Sequence, residues 1–147
     1  MRVETDQELA NLLTTVRYIA VVGVSPKPDR PSHRVFRFLK DSGYTVYAIN
    51  PGMAGQYIAD TPVLAGLGDI VGPIDMVDIF RASEHLPAVV DDIIAAGVTR
   101  AWTQLDVRHP DAENAALTAG LDLVVNRCPA IDIPRLQRLG LLANPVH

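Results

Sequence analysis

Short apolar runs alternate along the chain with stretches whose apolar residues recur at helical spacing. Tyr18–Val22, Thr45–Ile49, Asp75–Phe80, Ala101–Leu105 and Leu121–Val125 are runs of strand formers. Their near-continuous hydrophobicity suits strands buried on both faces, as in a parallel sheet. Between them, Ser32, Val35, Phe36 and Leu39 share one helical face, and Gly43 supplies a left-handed stop. Leu86, Val89, Val90, Ile93 and Ile94 form a second stripe, with Ser83 as its expected cap and Gly97 as its end. Pro110 suits the first turn of a third helix, where Ala112, Ala115, Ala116 and Ala119 make a small-residue face stopped by Gly120. Thr5 and Glu8 form a capping box opening a short helix through Leu13, and Ile133–Leu139 reads as a terminal helix. Residues 53–74 carry the weakest pattern, with a short strand near Tyr57-Ile58 and a helical turn near 64–70 expected. Repeated strand–helix–strand units predict an α/β fold: a Rossmann-like, doubly wound, open parallel sheet of about five strands, helices on both faces and right-handed crossovers.

Composition narrows this picture. At 147 residues the chain reads as a single domain over 1–147, with 1–16 as an N-terminal helix packed on it. It is 48% hydrophobic and 20% charged, as an ordered globular chain is. One cysteine excludes a disulfide framework and multi-cysteine zinc motifs, and fits a reducing compartment. No apolar run approaches the roughly 20 residues of a membrane span. The opening MRVETDQELANLL is acidic and amphipathic, unlike a signal peptide, so a cytoplasmic location is expected.

Charge is unevenly spread. Residues 17–40 hold six of the basic residues and one acid, a net +5, while the remainder sums to −9. Duplex nucleic acid needs a broad cationic face, so a nucleic-acid partner is not expected. One basic segment on an acidic protein suits a single small polyanion, although Arg37 and Lys40 equally fit a solvated helix face.

Ligands of open α/β sheets sit outside the carboxyl ends of the strands, at the switch point. This selects the loop from Gly23 to Ser32, the turn at Asn50-Pro51, the turn at Phe80-Arg81 and the turn after Gln104. In the first, Gly23 would let backbone approach a ligand, Ser25 offers a hydroxyl, and Ser32 is the expected helix cap. Backbone donors at that helix start would face a phosphate, surrounded by Lys27, Arg30, His33 and Arg34. G-x-G-x-x-G is absent after the first strand, the second ends in Asn50 rather than an acid, and no P-loop motif occurs.

Six blocks in order, Ile19-Ala20-Val21-Val22-Gly23-Val24-Ser25, Arg30-Pro31-Ser32, Val46-Tyr47-Ala48-Ile49-Asn50-Pro51, Val77-Asp78-Ile79-Phe80-Arg81, Trp102-Thr103-Gln104-Leu105 and Asn126-Arg127-Cys128-Pro129, resemble the small bacterial and archaeal CoA-binding proteins. These are similar to the CoA-binding domain of the succinyl-CoA synthetase α subunit. The resemblance implies coenzyme A or an acyl-CoA as ligand. Gly23, Ser25 and the segment holding Arg30, Ser32, His33 and Arg34 would hold the pyrophosphate or 3′-phosphate, with Val24 and Lys27 also among the cofactor-binding residues of this loop. Asn50 and Pro51 would border adenosine, Phe80 and Arg81 would line the cofactor, and Gln104 would lie further along the same edge. Synthetase-type domains often carry a lysine after the second strand. Gly52-Met53 stand here instead, so Lys27, Arg30 or Arg81 would supply the countercharge of the 3′-phosphate.

No catalytic constellation is read. Asp75 and Asp78 lie three apart on a strand and point to opposite faces. His85, His109 and His147 read as surface residues, Trp102 as core and Arg127 as a tether. Cys128 is either a thiol near the CoA sulfur or a small buried hydrophobe. Three readings follow: a CoA carrier, sensor or partner module; an NAD(P) or other nucleotide binder, with Arg30 and Arg34 on a 2′-phosphate; or an acyl-CoA-handling enzyme using Cys128 or His33. Apolar residues at Leu139–Leu142 suggest a homodimer or a packed tail.

Overall fold

A computed structural model describes residues 1–147. The elements are α1 (Asp6–Thr15), β1 (Tyr18–Val22), α2 (Pro31–Asp41), β2 (Thr45–Ile49), β3 (Tyr57–Ile58), β4 (Thr61–Leu64), β5 (Met76–Ile79), α3 (Leu86–Ala95), β6 (Arg100–Thr103), α4 (Pro110–Thr118), β7 (Asp122–Val124) and α5 (Pro129–Arg138). They form a doubly wound α/β sheet in the order β3-β4-β2-β1-β5-β6-β7. All pairings are parallel except β3 with β4. The sheet has seven strands rather than about five. β4 escapes the sequence pattern because Pro62 interrupts it, and proline is tolerated there because β4 meets β2 at only two registered pairs, Ala48 with Val63 and Ile49 with Leu64.

The period of two along each strand divides the interior into two cores. Ile19, Val21, Val46, Ala48, Met76, Trp102 and Val124 face α1, α2 and α5. Ala20, Val22, Ile49, Val77, Ile79, Ala101 and Leu123 face α3 and α4. Trp102 is fully buried, and its Nε1 donates to the Arg127 carbonyl at 2.8 Å. No helix is long and apolar enough to cross a membrane.

Helix ends follow local chemistry. At α1, Glu8 N–H donates to Thr5 Oγ1 at 3.1 Å and Thr5 N–H to Glu8 Oε1 at 2.9 Å, the expected capping box. Four helices end alike: N–H of Tyr44, Val98, Leu121 and Leu141 returns to the carbonyl of Leu39, Ile93, Ala116 and Leu136, after a residue of positive φ. Two expected caps differ. Ser83 opens a short 3₁₀ turn before α3, and its hydroxyl instead donates to Asp106 O and accepts from Arg108 N–H. Arg30, not Ser32, is the N-cap of α2, because Pro31 takes the first helical position. In α4 only Ala112 and Ala116 of the alanine face are buried, because a helix this short turns one narrow stripe inward. The terminal helix begins earlier than Ile133, at Pro129.

Candidate functional site

β1 and β5 are adjacent, and their chains leave the sheet in opposite directions, so a crevice opens where Val22 and Ile79 end. Gly23 stands at this point with φ +88°. A Cβ there would lie 2.3 Å from the Phe80 carbonyl oxygen. The missing side chain therefore lets the ends of β1 and β5 close on each other, a different role from the ligand approach expected of it.

The following loop is held from within. Ser25 N–H donates to Ser32 Oγ at 2.9 Å, and Lys27 N–H to Ser25 Oγ at 3.2 Å. Asn50 joins this loop to the turn after β2: its Nδ2 donates to Val24 O at 2.8 Å and its Oδ1 accepts from Gly52 N–H at 3.0 Å. Arg34 donates to the Asp29 carbonyl, bracing the loop against α2. The Ser32 N–H has no backbone partner, as expected at the second position of a helix.

Three adjoining cavities share Phe80. The first, about 340 Å³, lies among Ser25, Lys27, Arg30, Pro31 and Ser32. The second, about 470 Å³, lies among Gly23, Asn50, Pro51, Arg81 and His85. The third, about 640 Å³, is a mainly apolar cleft between α2 and α5, with Arg34, Arg81 and Gln104 on its walls. No ion pair involves Lys27, Arg30 or Arg81, so these three present cations around the shared aromatic ring with no carboxylate attached, while His85 of the second cavity lies 3.9 Å from Glu84.

Most of the residues expected at the site are thus brought together, but two are not. His33 is 4% exposed and turned inward: its Nδ1–H donates to Ser25 O at 2.9 Å and its Nε2 accepts from Arg37 Nε at 2.8 Å. Its ring orients the loop from below, leaving neither nitrogen for a phosphate. The Val24 side chain is fully buried in the core, and only its backbone belongs to the loop. Arg37 and Lys40 have structural duties, Arg37 on His33 and Lys40 donating to Ala59 O at 2.6 Å, which docks the β3–β4 hairpin. Val107, Ala130 and Ile131, which wall the third cavity, were not anticipated. They come from α5 and the turn after β6, and no local motif marks them.

The other histidines also have assignments. His109 Nδ1 caps α4 by accepting from Ala112 N–H at 3.1 Å, and His147 Nε2 donates to Val16 O at 2.9 Å. Arg127 pairs with Asp132 at 3.3 Å, tethering the start of α5. Cys128 is 8% exposed.

Fold and groove define a doubly wound α/β protein with Lys27, Arg30 and Arg81 around one aromatic ring at its switch point. Residues 17–134 match the family described as CoA binding domain, and the chain belongs to that family. It is 31% identical over 121 residues to the uncharacterized protein YneT of Bacillus subtilis (strain 168), covering 82% of this chain and 88% of YneT. Among solved structures, a Thermus thermophilus protein shares 34% identity at a TM-score of 0.87, over 90% of this chain and 99% of its own. A hypothetical protein from Pyrococcus horikoshii OT3 shares 32% identity at 0.86, over 91% and 93%.

Proposed function

We propose that the groove binds coenzyme A or an acyl-CoA, and that the protein serves as a carrier, sensor or partner module for it. The diphosphate and 3′-phosphate would lie on the Ser25–Ser32 loop among Lys27, Arg30 and Arg81, adenosine against Asn50 and Pro51, and the pantetheine arm along Phe80 toward Gln104. The observation that carries this reading is the set of three unpaired cations around one aromatic ring at the junction of three cavities. Coenzyme A carries about four negative charges, two of them on a phosphomonoester, beside an adenine with an apolar face. A guanidinium can grip phosphate through two parallel bonds, which favours Arg30 and Arg81 as the main contacts. Membership of the CoA binding domain family supports the same ligand.

Isothermal titration with CoA, acetyl-CoA, NAD, NADP and ATP tests it. CoA should bind most tightly, and Arg30→Ala or Arg81→Ala should each weaken it at least about tenfold, as loss of one charge-assisted contact requires. CoA binding no tighter than NAD would overturn the assignment. Unchanged affinity in both variants would move the phosphates elsewhere.

A further inference from the structure

Cys128 stands at the N-cap of the ten-residue helix α5. Its backbone is clamped beside the end of β6. Trp102 Nε1 donates to Arg127 O at 2.8 Å, Arg127 N–H donates to Thr103 O at 3.2 Å, and the N–H groups of Ile131 and Asp132 return to Cys128 O at 3.0 and 2.9 Å. Gln104 follows β6 directly and lines the same 640 Å³ cleft as Cys128. Gln104 is 6% exposed, and its Oε1 is buried without a hydrogen-bond partner. An unsatisfied buried amide oxygen calls for a donor. Val35, Phe80, Val107 and Ile131 make the cleft's other walls mainly apolar, with Arg34, Arg81 and Asp106 as their polar members.

The cleft therefore offers a mainly apolar sleeve, one unused acceptor and the only thiol of the chain. A slender ligand with an amide N–H set back from a sulfur matches all three, and a pantetheine arm has that order of groups. Resting on the CoA reading above, we infer that Cys128 undergoes thiol–disulfide exchange with a disulfide of the bound cofactor, CoA disulfide being the co-reactant. The Cys128 thiolate attacks one sulfur of that disulfide. The Cys128–S–CoA bond forms as the original S–S bond breaks, and the departing CoA thiolate carries off the electron pair and takes the proton that Cys128 gave up. Cys128 is oxidised and one CoA sulfur is reduced, so no further oxidant is needed. Gln104 positions the arm by accepting its amide N–H.

Intact-mass spectrometry of the full chain incubated with CoA disulfide, and separately with glutathione disulfide, tests the exchange. One CoA adduct should form, map to the Cys128 peptide, reverse with dithiothreitol, and arise at least about tenfold faster than the glutathione adduct, because the nucleotide is held by the groove. Acetyl-CoA in excess should slow it, Cys128→Ser should abolish it, and Gln104→Leu should narrow the rate advantage of CoA disulfide over glutathione disulfide. Peptide mapping on the unmodified sequence keeps the test valid if a variant folds poorly. No adduct, or equal rates with both disulfides, in protein that still binds CoA by calorimetry would overturn the exchange and leave the binding reading intact. Absence of CoA binding altogether would overturn both.

Discussion

Asp78 is buried with nothing to pair it. It has no exposed surface, stands in register between Val21 of β1 and Trp102 of β6, and neither carboxylate oxygen has a hydrogen-bond partner. Burial pushes its carboxyl well above the ordinary range, and the neighbouring Ile79 N–H opposes this only weakly. In the unfolded chain the same group ionises near pH 4. A folded-state value raised in this way means that stability is complete below about pH 4 and falls as the pH rises toward the folded value. Asp78→Asn keeps the shape and removes the proton. The variant should be more stable than the parent by about 1 kcal/mol or more at pH 8. The difference should vanish near pH 4, as urea unfolding at the two pH values would show. Glu113 has the opposite sign. Its burial favours the neutral form, but bonds from Arg108 and the His109 N–H, with the nearby charges of Arg108 and Arg2, outweigh this and hold its carboxyl below the ordinary range. Its contribution is present above the ordinary carboxylate range and lost as the pH falls through the lowered value, so Glu113→Gln should destabilise at pH 7 and converge on the parent in acid.

At the scale of elements, the crevice depends on how closely β1 and β5 meet at Gly23. Any Cβ there collides with the Phe80 carbonyl, and the residue's φ of +88° is itself unfavourable for other residues. Gly23→Ala should therefore cost about 3 kcal/mol in chemical denaturation, combining backbone strain with overpacking. It should also weaken CoA, because Phe80 borders all three cavities. A variant of unchanged stability would show that the strand ends can part freely. The same elements show what the sequence could reveal. Central strands were legible because burial on both faces leaves an unbroken apolar run, and helix ends because glycine is needed there. Ser32 and Ser83 misled because a hydroxyl before an apolar stripe looks like a cap, whereas here the tertiary partners Ser25 N–H and Arg108 N–H claim those oxygens. The Gly23–Ser32 loop was legible from its prolines and charges. The wall of the third cavity was not, because Ala130 and Ile131 reach Val35 only through tertiary packing of α5 on α2.

At the scale of the whole molecule, a net +5 between residues 17 and 40 sits on a chain whose remainder carries −9. On α2, Arg34, Arg37 and Lys40 keep their charge but direct donors at Asp29 O, His33 Nε2 and Ala59 O, so the cations with no such partner at the crevice are Lys27, Arg30 and Arg81. These cations are accessible from solvent, and their attraction for a polyanion should be screened once the Debye length falls from about 20–30 Å at low salt to about 4 Å near half-molar salt. CoA affinity should drop by about tenfold or more across that range, chiefly through slower association. Arg30→Ala should flatten the salt dependence as well as lower the affinity, whereas an uncharged neighbour such as Pro51→Ala should shift affinity without changing the slope. Duplex DNA should gain nothing from the same basic segment, because the acidic remainder repels a long polyanion that cannot confine itself to one crevice. Titrations of both ligands over one salt series decide the matter. A CoA affinity independent of salt would mean that the phosphates are held by backbone donors alone, and that the cations at the rim serve another purpose.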